Sequence, residues 1–106
     1  MRLSEKRVLF TSLMCKLIDT VNNEFGLHVA LGDVRPTNQS GHMSNSLHYE
    51  GLAADLVLYD KDWSYCTKTE EYRVLGELWE SMHPNCHWGG HFNDGNHFSM
   101  SWDDRR

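Results

Sequence analysis

The sequence predicts an α+β fold, with two amphipathic helices on a small antiparallel sheet, in one domain spanning residues 1–106. Three observations point there. Apolar residues recur at helical spacing in two stretches and alternate in strand fashion in two others. A Gly-rich segment near the end, Gly89-Gly90 through Asn93-Asp94-Gly95-Asn96, marks a hairpin. The resulting order is α-β-β-α-β-β.

The first helix follows from Val8, Leu9, Leu13, Leu17, Ile18 and Val21, with Phe10 and Met14 widening the stripe. Ser4 is its expected cap, and Asn22-Asn23 before Gly26 its expected end. Leu27 to Val34 reads as a short strand stopped at Arg35-Pro36, and residues 36–46 as a polar loop. From Leu52 to Tyr59 the chain alternates: Leu52, Ala54, Leu56 and Leu58 face the core, while Ala53, Asp55, Val57 and Tyr59 face away. A second helix is expected from Thr69, where Glu70 and Glu71 favour the positive N-terminal end. Its buried stripe is Val74, Leu75, Leu78, Trp79 and Met82, and Pro84 closes it. In the last strand Phe98, Met100 and Trp102 suit the core, with His97, Ser99 and Ser101 on the other face.

Composition narrows the function. With 106 residues, 40% of them hydrophobic and 24% charged, the chain is long enough for one modest core. Ten Lys and Arg against 15 Asp and Glu leave a charge of −5, a poor match for nucleic acid or an anionic membrane. Three cysteines, Cys15, Cys66 and Cys86, cannot all pair within one chain and imply reduced thiols and cytoplasmic synthesis. The apolar stretch Val8–Ile18 is interrupted by Thr11, Ser12 and Lys16, so it resembles neither a membrane span nor a signal peptide. A substrate outside the cytoplasm would then need a separate release route.

Seven histidines and four tryptophans stand out in so small a chain. Asp55 is a carboxylate in mid-strand on the outer face, beside the small Ala53. A turn at Tyr49-Glu50-Gly51 would bring His48 to that face, and His97 joins them if the two strands are neighbours. Two imidazoles and a carboxylate make three zinc ligands with a fourth position open to water, the pattern of catalytic sites. Asp94, three residues before His97, is placed to manage the proton of that water, and Arg35 to bind a carboxylate or developing oxyanion. Each residue also has an ordinary reading: Asp94-Gly95 is a common turn pair, and Arg35 before Pro36 suits a solvated strand end.

The joint pattern is more specific. Ser46-x-His48-x-x-Gly51-x-Ala53-x-Asp55, followed by Trp88-Gly89-Gly90 and then Asp94-x-x-His97-Phe98, resembles the zinc D-Ala-D-Ala metallopeptidases, a family that includes phage L-alanyl-D-glutamate endopeptidases. The resemblance covers roughly residues 27–102. It implies the small α+β fold shared with the hedgehog signalling domain. It also implies zinc ligands at His48, Asp55 and His97, a general base and acid at Asp94, and an oxyanion-stabilising Arg35. Gln39 and Ser46 are implied as substrate-contacting positions. Asp at position 94 and the Trp-Gly-Gly element look more like the endopeptidase branch.

The expectation is therefore a monomeric zinc peptidase, resembling a bacteriophage endolysin and cutting the L-Ala–D-Glu bond of peptidoglycan stem peptides. Two other readings remain open at this point. One is a D,D-carboxypeptidase or D-Ala-D-Ala dipeptidase; the other is a non-catalytic zinc-stabilised binding module. His83, Cys86 and His87 form a further cluster, but Pro84 breaks the helix that would align them. His28, His42 and His91 carry no assigned role, and Trp63 and Trp88 are undecided, with Trp88 a candidate to flank substrate.

Overall fold

The computed structural model of the protein describes residues 1–32 and 50–102. Helix α1 spans Leu3–Glu24 and helix α2 Arg73–Met82; the strands are β1 (His28–Leu31), β2 (Ala53–Tyr59), β3 (Cys86–Trp88) and β4 (His97–Met100). The strands form one sheet in the order β1-β2-β4-β3, every neighbouring pair antiparallel. The expected α+β order is thus present. Among the described residues no helix is long and apolar enough to cross a membrane.

α1 buries Phe10, Met14, Leu17 and Val21, at steps of four, three and four residues. Val8, expected in that stripe, is 67% exposed. At about 100° per residue it lies roughly 160° around the helix from Phe10, so one face cannot bury both. The start also differs from expectation. Ser4 lies inside the helix, and the Arg2 backbone N–H donates to Glu5 Oε1 at 2.8 Å. Nor does Asn22 end the helix. Its side-chain amide pairs with the backbone of Val29, accepting from N–H at 2.7 Å and donating to the carbonyl at 3.1 Å. A residue type associated with helix ends thus fastens edge strand β1 to α1.

α2 is preceded by a 3-10 turn over Thr69–Tyr72. Glu71 accepts from the Lys68 backbone N–H at 2.9 Å, and that bond holds its carboxyl below the usual range. The helix buries Leu75, Gly76 and Trp79, whereas Val74, expected inside, is exposed. Gly76 explains the shift: a Cβ there would collide with the Trp88 indole. The helix makes its closest approach on the glycine side, which turns Val74 outward.

The core lies between the helices and one sheet face. Trp79 packs edge-to-face on Phe10 and Phe98, at centroid separations of 5.7 and 6.5 Å. Its indole N–H donates to the Ser99 carbonyl at 3.0 Å. Leu52, Ala54, Leu56, Leu58, Phe98 and Met100 are buried as their alternation predicts. Trp102 is not a core residue; it lies at the surface with the Lys6 ammonium 4.9 Å from its ring centroid. β4 ends at Met100, so the strand alternation no longer governs position 102.

Candidate metal centre

Antiparallel pairing of β2 with β4 places Ala53 opposite Ser99, Ala54 opposite Phe98 and Asp55 opposite His97. Paired residues share a face, so Asp55 and His97 stand side by side on the face away from the helices. His97 Nδ1 and Asp55 Oδ1 are 3.4 Å apart, with side chains 12% and 24% exposed. That separation exceeds the usual N–H···O distance of about 2.9 Å. It matches two donors sharing one tetrahedral cation, which stand about 3.3 Å apart when each bond is roughly 2.0–2.1 Å. Nitrogen and carboxylate oxygen are also donor types that zinc accepts.

His48, the third expected ligand, lies outside the described residues, as do Arg35, Gln39 and Ser46. The turn expected before β2 is present in part: Gly51 has φ +75°, a conformation glycine adopts without Cβ strain. Arg7 Nε donates to the Glu50 carbonyl, tying the same turn to α1. Among the described residues, no three His, Cys, Asp or Glu side chains cluster as a metal site.

Asp94 lies on the exposed turn that enters β4. Its backbone N–H donates to Gly89 at 2.9 Å, and its carbonyl accepts from the His97 N–H at 3.2 Å. The turn is therefore built around the backbone of position 94, leaving the carboxylate at the surface near the strand end that carries His97. Gly89 permits this geometry. A Cβ there would meet the Asp94 carbonyl oxygen and stand 2.9 Å from the His97 Cβ.

Trp88 does not flank a groove. It is 2% exposed, and its ring lies where Cβ atoms on Gly76 or Gly90 would be. Its indole N–H donates to the Gly95 carbonyl at 2.7 Å, while the Gly95 N–H reaches Thr69 Oγ1 at 3.2 Å. The Trp-Gly-Gly sequence thus acts as a clamp beneath the Asp94 turn.

The register adds a residue that motif reading left unassigned. His87 pairs with Ser99 and, through it, aligns with Ala53, placing the imidazole on the Asp55 and His97 face one row away. Alternation between buried Cys86 and Trp88 carried that signal. Ser99 between them is fully buried, and its hydroxyl has no hydrogen-bond partner among the described residues. The other described histidines serve elsewhere. His91 meets Glu80 at 2.9 Å, His83 accepts from the Asn85 N–H at 3.0 Å, and His28 stacks on Trp63. Cys86 is buried, and burial with the nearby Glu80 charge pushes its thiol up to about 12, far from a metal-binding thiolate at neutral pH.

Comparison with known proteins returns no matching family model and no matching curated sequence.

Proposed function

We propose that the protein is a zinc peptidase on a hedgehog-like α+β fold, hydrolysing the L-Ala–D-Glu bond of peptidoglycan stem peptides. The observation that carries this reading is the 3.4 Å pairing of Asp55 Oδ1 with His97 Nδ1 on adjacent strands. His48 would complete the ligand set. Support also comes from the Asp94 turn at the strand mouth and the Trp88 clamp beneath it.

Zinc, when bound, supplies Lewis acidity toward the scissile carbonyl and acidifies water. Asp94 acts as the proton carrier, taking a proton from the attacking water at its carboxylate and returning it to the leaving amine. Arg35 offers a permanent positive charge to the developing oxyanion. Gln39 and Ser46 contact the peptide. The acidic chain acts as a monomer without nucleic acid or stable membrane association, and reaches the wall by a release route separate from its cytoplasmic synthesis.

Mass spectrometry of peptidoglycan digested with zinc-loaded protein, beside Asp94→Ala, tests the reading. Stem peptides bearing a new D-Glu amine, made only by the wild type, are expected. Loss of terminal D-Ala alone would transfer the protein to the carboxypeptidase branch. Equal turnover by zinc-loaded Asp94→Ala would remove Asp94 from the mechanism. Zinc retention without Asp94-dependent product from any wall type would leave a binding module.

A further inference from the structure

An aromatic ledge lies at the other end of the strand that carries Asp55. Asp55, Val57 and Tyr59 alternate on one face of β2, so Tyr59 is about 13 Å from Asp55 along the strand. Tyr59 pairs with His28 on β1, and the Trp63 indole stacks on the His28 imidazole, with centroids 3.6 Å apart and planes 6° from parallel. Tyr59 stands 6.2 Å from Trp63 and 5.9 Å from Tyr65. Trp63 is 65% exposed and Tyr65 61% exposed. Since His28 covers one indole face, the opposite face is the open one.

This exposure is built in. Trp63 has φ +68°, a strained backbone conformation for a bulky residue. A closed turn holds it there. Asp60 Oδ1 accepts from the backbone N–H groups of Asp62 and Ser64 at 2.9 and 3.0 Å, and the Asp60 carbonyl accepts from the Trp63 N–H at 2.9 Å. An adjoining cleft of about 250 Å³ is lined by Asn22, His28, Val29, Ala30, Tyr59 and Trp63.

The chemistry of the ledge selects its ligand. Asp60 and Asp62 beside Trp63 oppose an anion. The same carboxylates would attract a cation, so a lysine-rich peptide is the competitor to be tested against the sugar. Tyr59 lies about 6 Å from both Trp63 and Tyr65, its plane tilted 45° and 48° from theirs. Exposed, weakly negative aromatic faces edged by polar groups suit neutral sugar rings, whose C–H faces carry the complementary partial charge. We propose that His28, Tyr59, Trp63 and Tyr65 form a saccharide-binding ledge. It holds the glycan strand while the attached peptide lies along β2 toward Asp55; the choice of glycan rests on the peptidoglycan-peptidase reading.

The test titrates the tetramer of N-acetylglucosamine into wild type and Trp63→Gly, following the backbone N–H resonances of residues 59–65 in both and the Trp63 indole N–H in the wild type. Glycine suits the positive φ, so the variant removes the ring without disturbing the turn. Millimolar sugar is expected to shift the Trp63 resonance in wild type, and Trp63→Gly is expected to bind about tenfold more weakly or worse. Trp63→Gly is also expected to lose activity on intact wall while keeping it on the isolated stem peptide. No resonance shift, undiminished affinity in the variant, or preference for a lysine-rich peptide over the sugar would overturn the ledge. Equal loss on both substrates, or none on intact wall, would overturn its role in substrate placement. If the wild type cuts neither substrate, the peptidase reading fails, and the titration still decides sugar binding.

Discussion

The Trp88 indole N–H donates to the Gly95 carbonyl at 2.7 Å, joining a core residue to the turn that carries Asp94. Trp88→Phe would keep most of the packing volume and remove the donor, leaving a carbonyl without its partner. A stability loss of about 1–3 kcal/mol is expected from urea unfolding. Zinc content should be unchanged, because neither Asp55 nor His97 is touched. The turnover number should fall further than the Michaelis constant changes, because the Asp94 carboxylate loses its fixed position. Wild-type turnover in Trp88→Phe would show that the clamp serves stability alone.

Zinc should stabilise the native chain through Asp55 and His97. At a free concentration about 100 times the dissociation constant, a ligand bound only by the folded state adds about 2.7 kcal/mol. For a domain of this size that raises the melting temperature by roughly 10–20 °C. Calorimetry with zinc and then with chelator should show the increment appear and vanish. Asp55→Ala and His97→Ala should abolish it, whereas Asp94→Ala should preserve it. An unchanged increment in both ligand variants would place the metal elsewhere.

The sequence revealed most where a periodic pattern met a single partner surface. Alternation from Leu52 through β2 identified Leu52, Ala54, Leu56 and Leu58 as core, and the antiparallel pairing of β2 with β4 put His97 opposite Asp55. Helix faces were less legible, because apolar residues occupy too much of the circumference of α1 for periodicity to locate the buried side. The choice of Phe10 over Val8 depends on Trp79, a residue about 70 positions away in sequence. Gly76 shifts the α2 stripe through contact with Trp88, which is equally non-local. His87 was recoverable from β3 alternation, but only the register joined it to the site face. The ledge was hidden because its exposed Trp63 depends on a turn closed by Asp60.

Gly76→Ala tests how tightly α2 and Trp88 are fitted. On an exposed helix this substitution would stabilise by about 1 kcal/mol through propensity. Here the new methyl would enter the space of the Trp88 ring, which is itself held by Gly95. Overpacking of about 1–3 kcal/mol should outweigh the propensity gain. The expected result is a lower urea midpoint and weaker protection of the Trp88 indole N–H from hydrogen exchange. A higher midpoint would mean that the interface yields easily.

Alkaline instability should be traceable to a named thiol. Burial, followed by the Glu80 charge, raises Cys86 from 9.0 to about 12, and burial also raises Cys66 and Tyr72. A thiol with a raised native pKa favours folding fully below its unfolded pKa, where both states hold the proton. As pH rises beyond about 9 the unfolded chain releases that proton first, and stability falls until the native thiol also ionises near 12. The ceiling for Cys86 is about 4 kcal/mol, at about 1.4 kcal/mol per pH unit over the roughly three-unit gap. Urea midpoints measured under reducing conditions should therefore hold steady near neutrality and decline above about pH 9. Cys86→Ala should start about 1–2 kcal/mol less stable from the lost packing, yet show a shallower decline. Exposed Cys15 should react with a thiol reagent in the native protein at neutral pH, while Cys66 and Cys86 react only on unfolding. An alkaline decline identical in wild type and Cys86→Ala would assign the effect to other groups, with Cys66 and Tyr72 the next to replace.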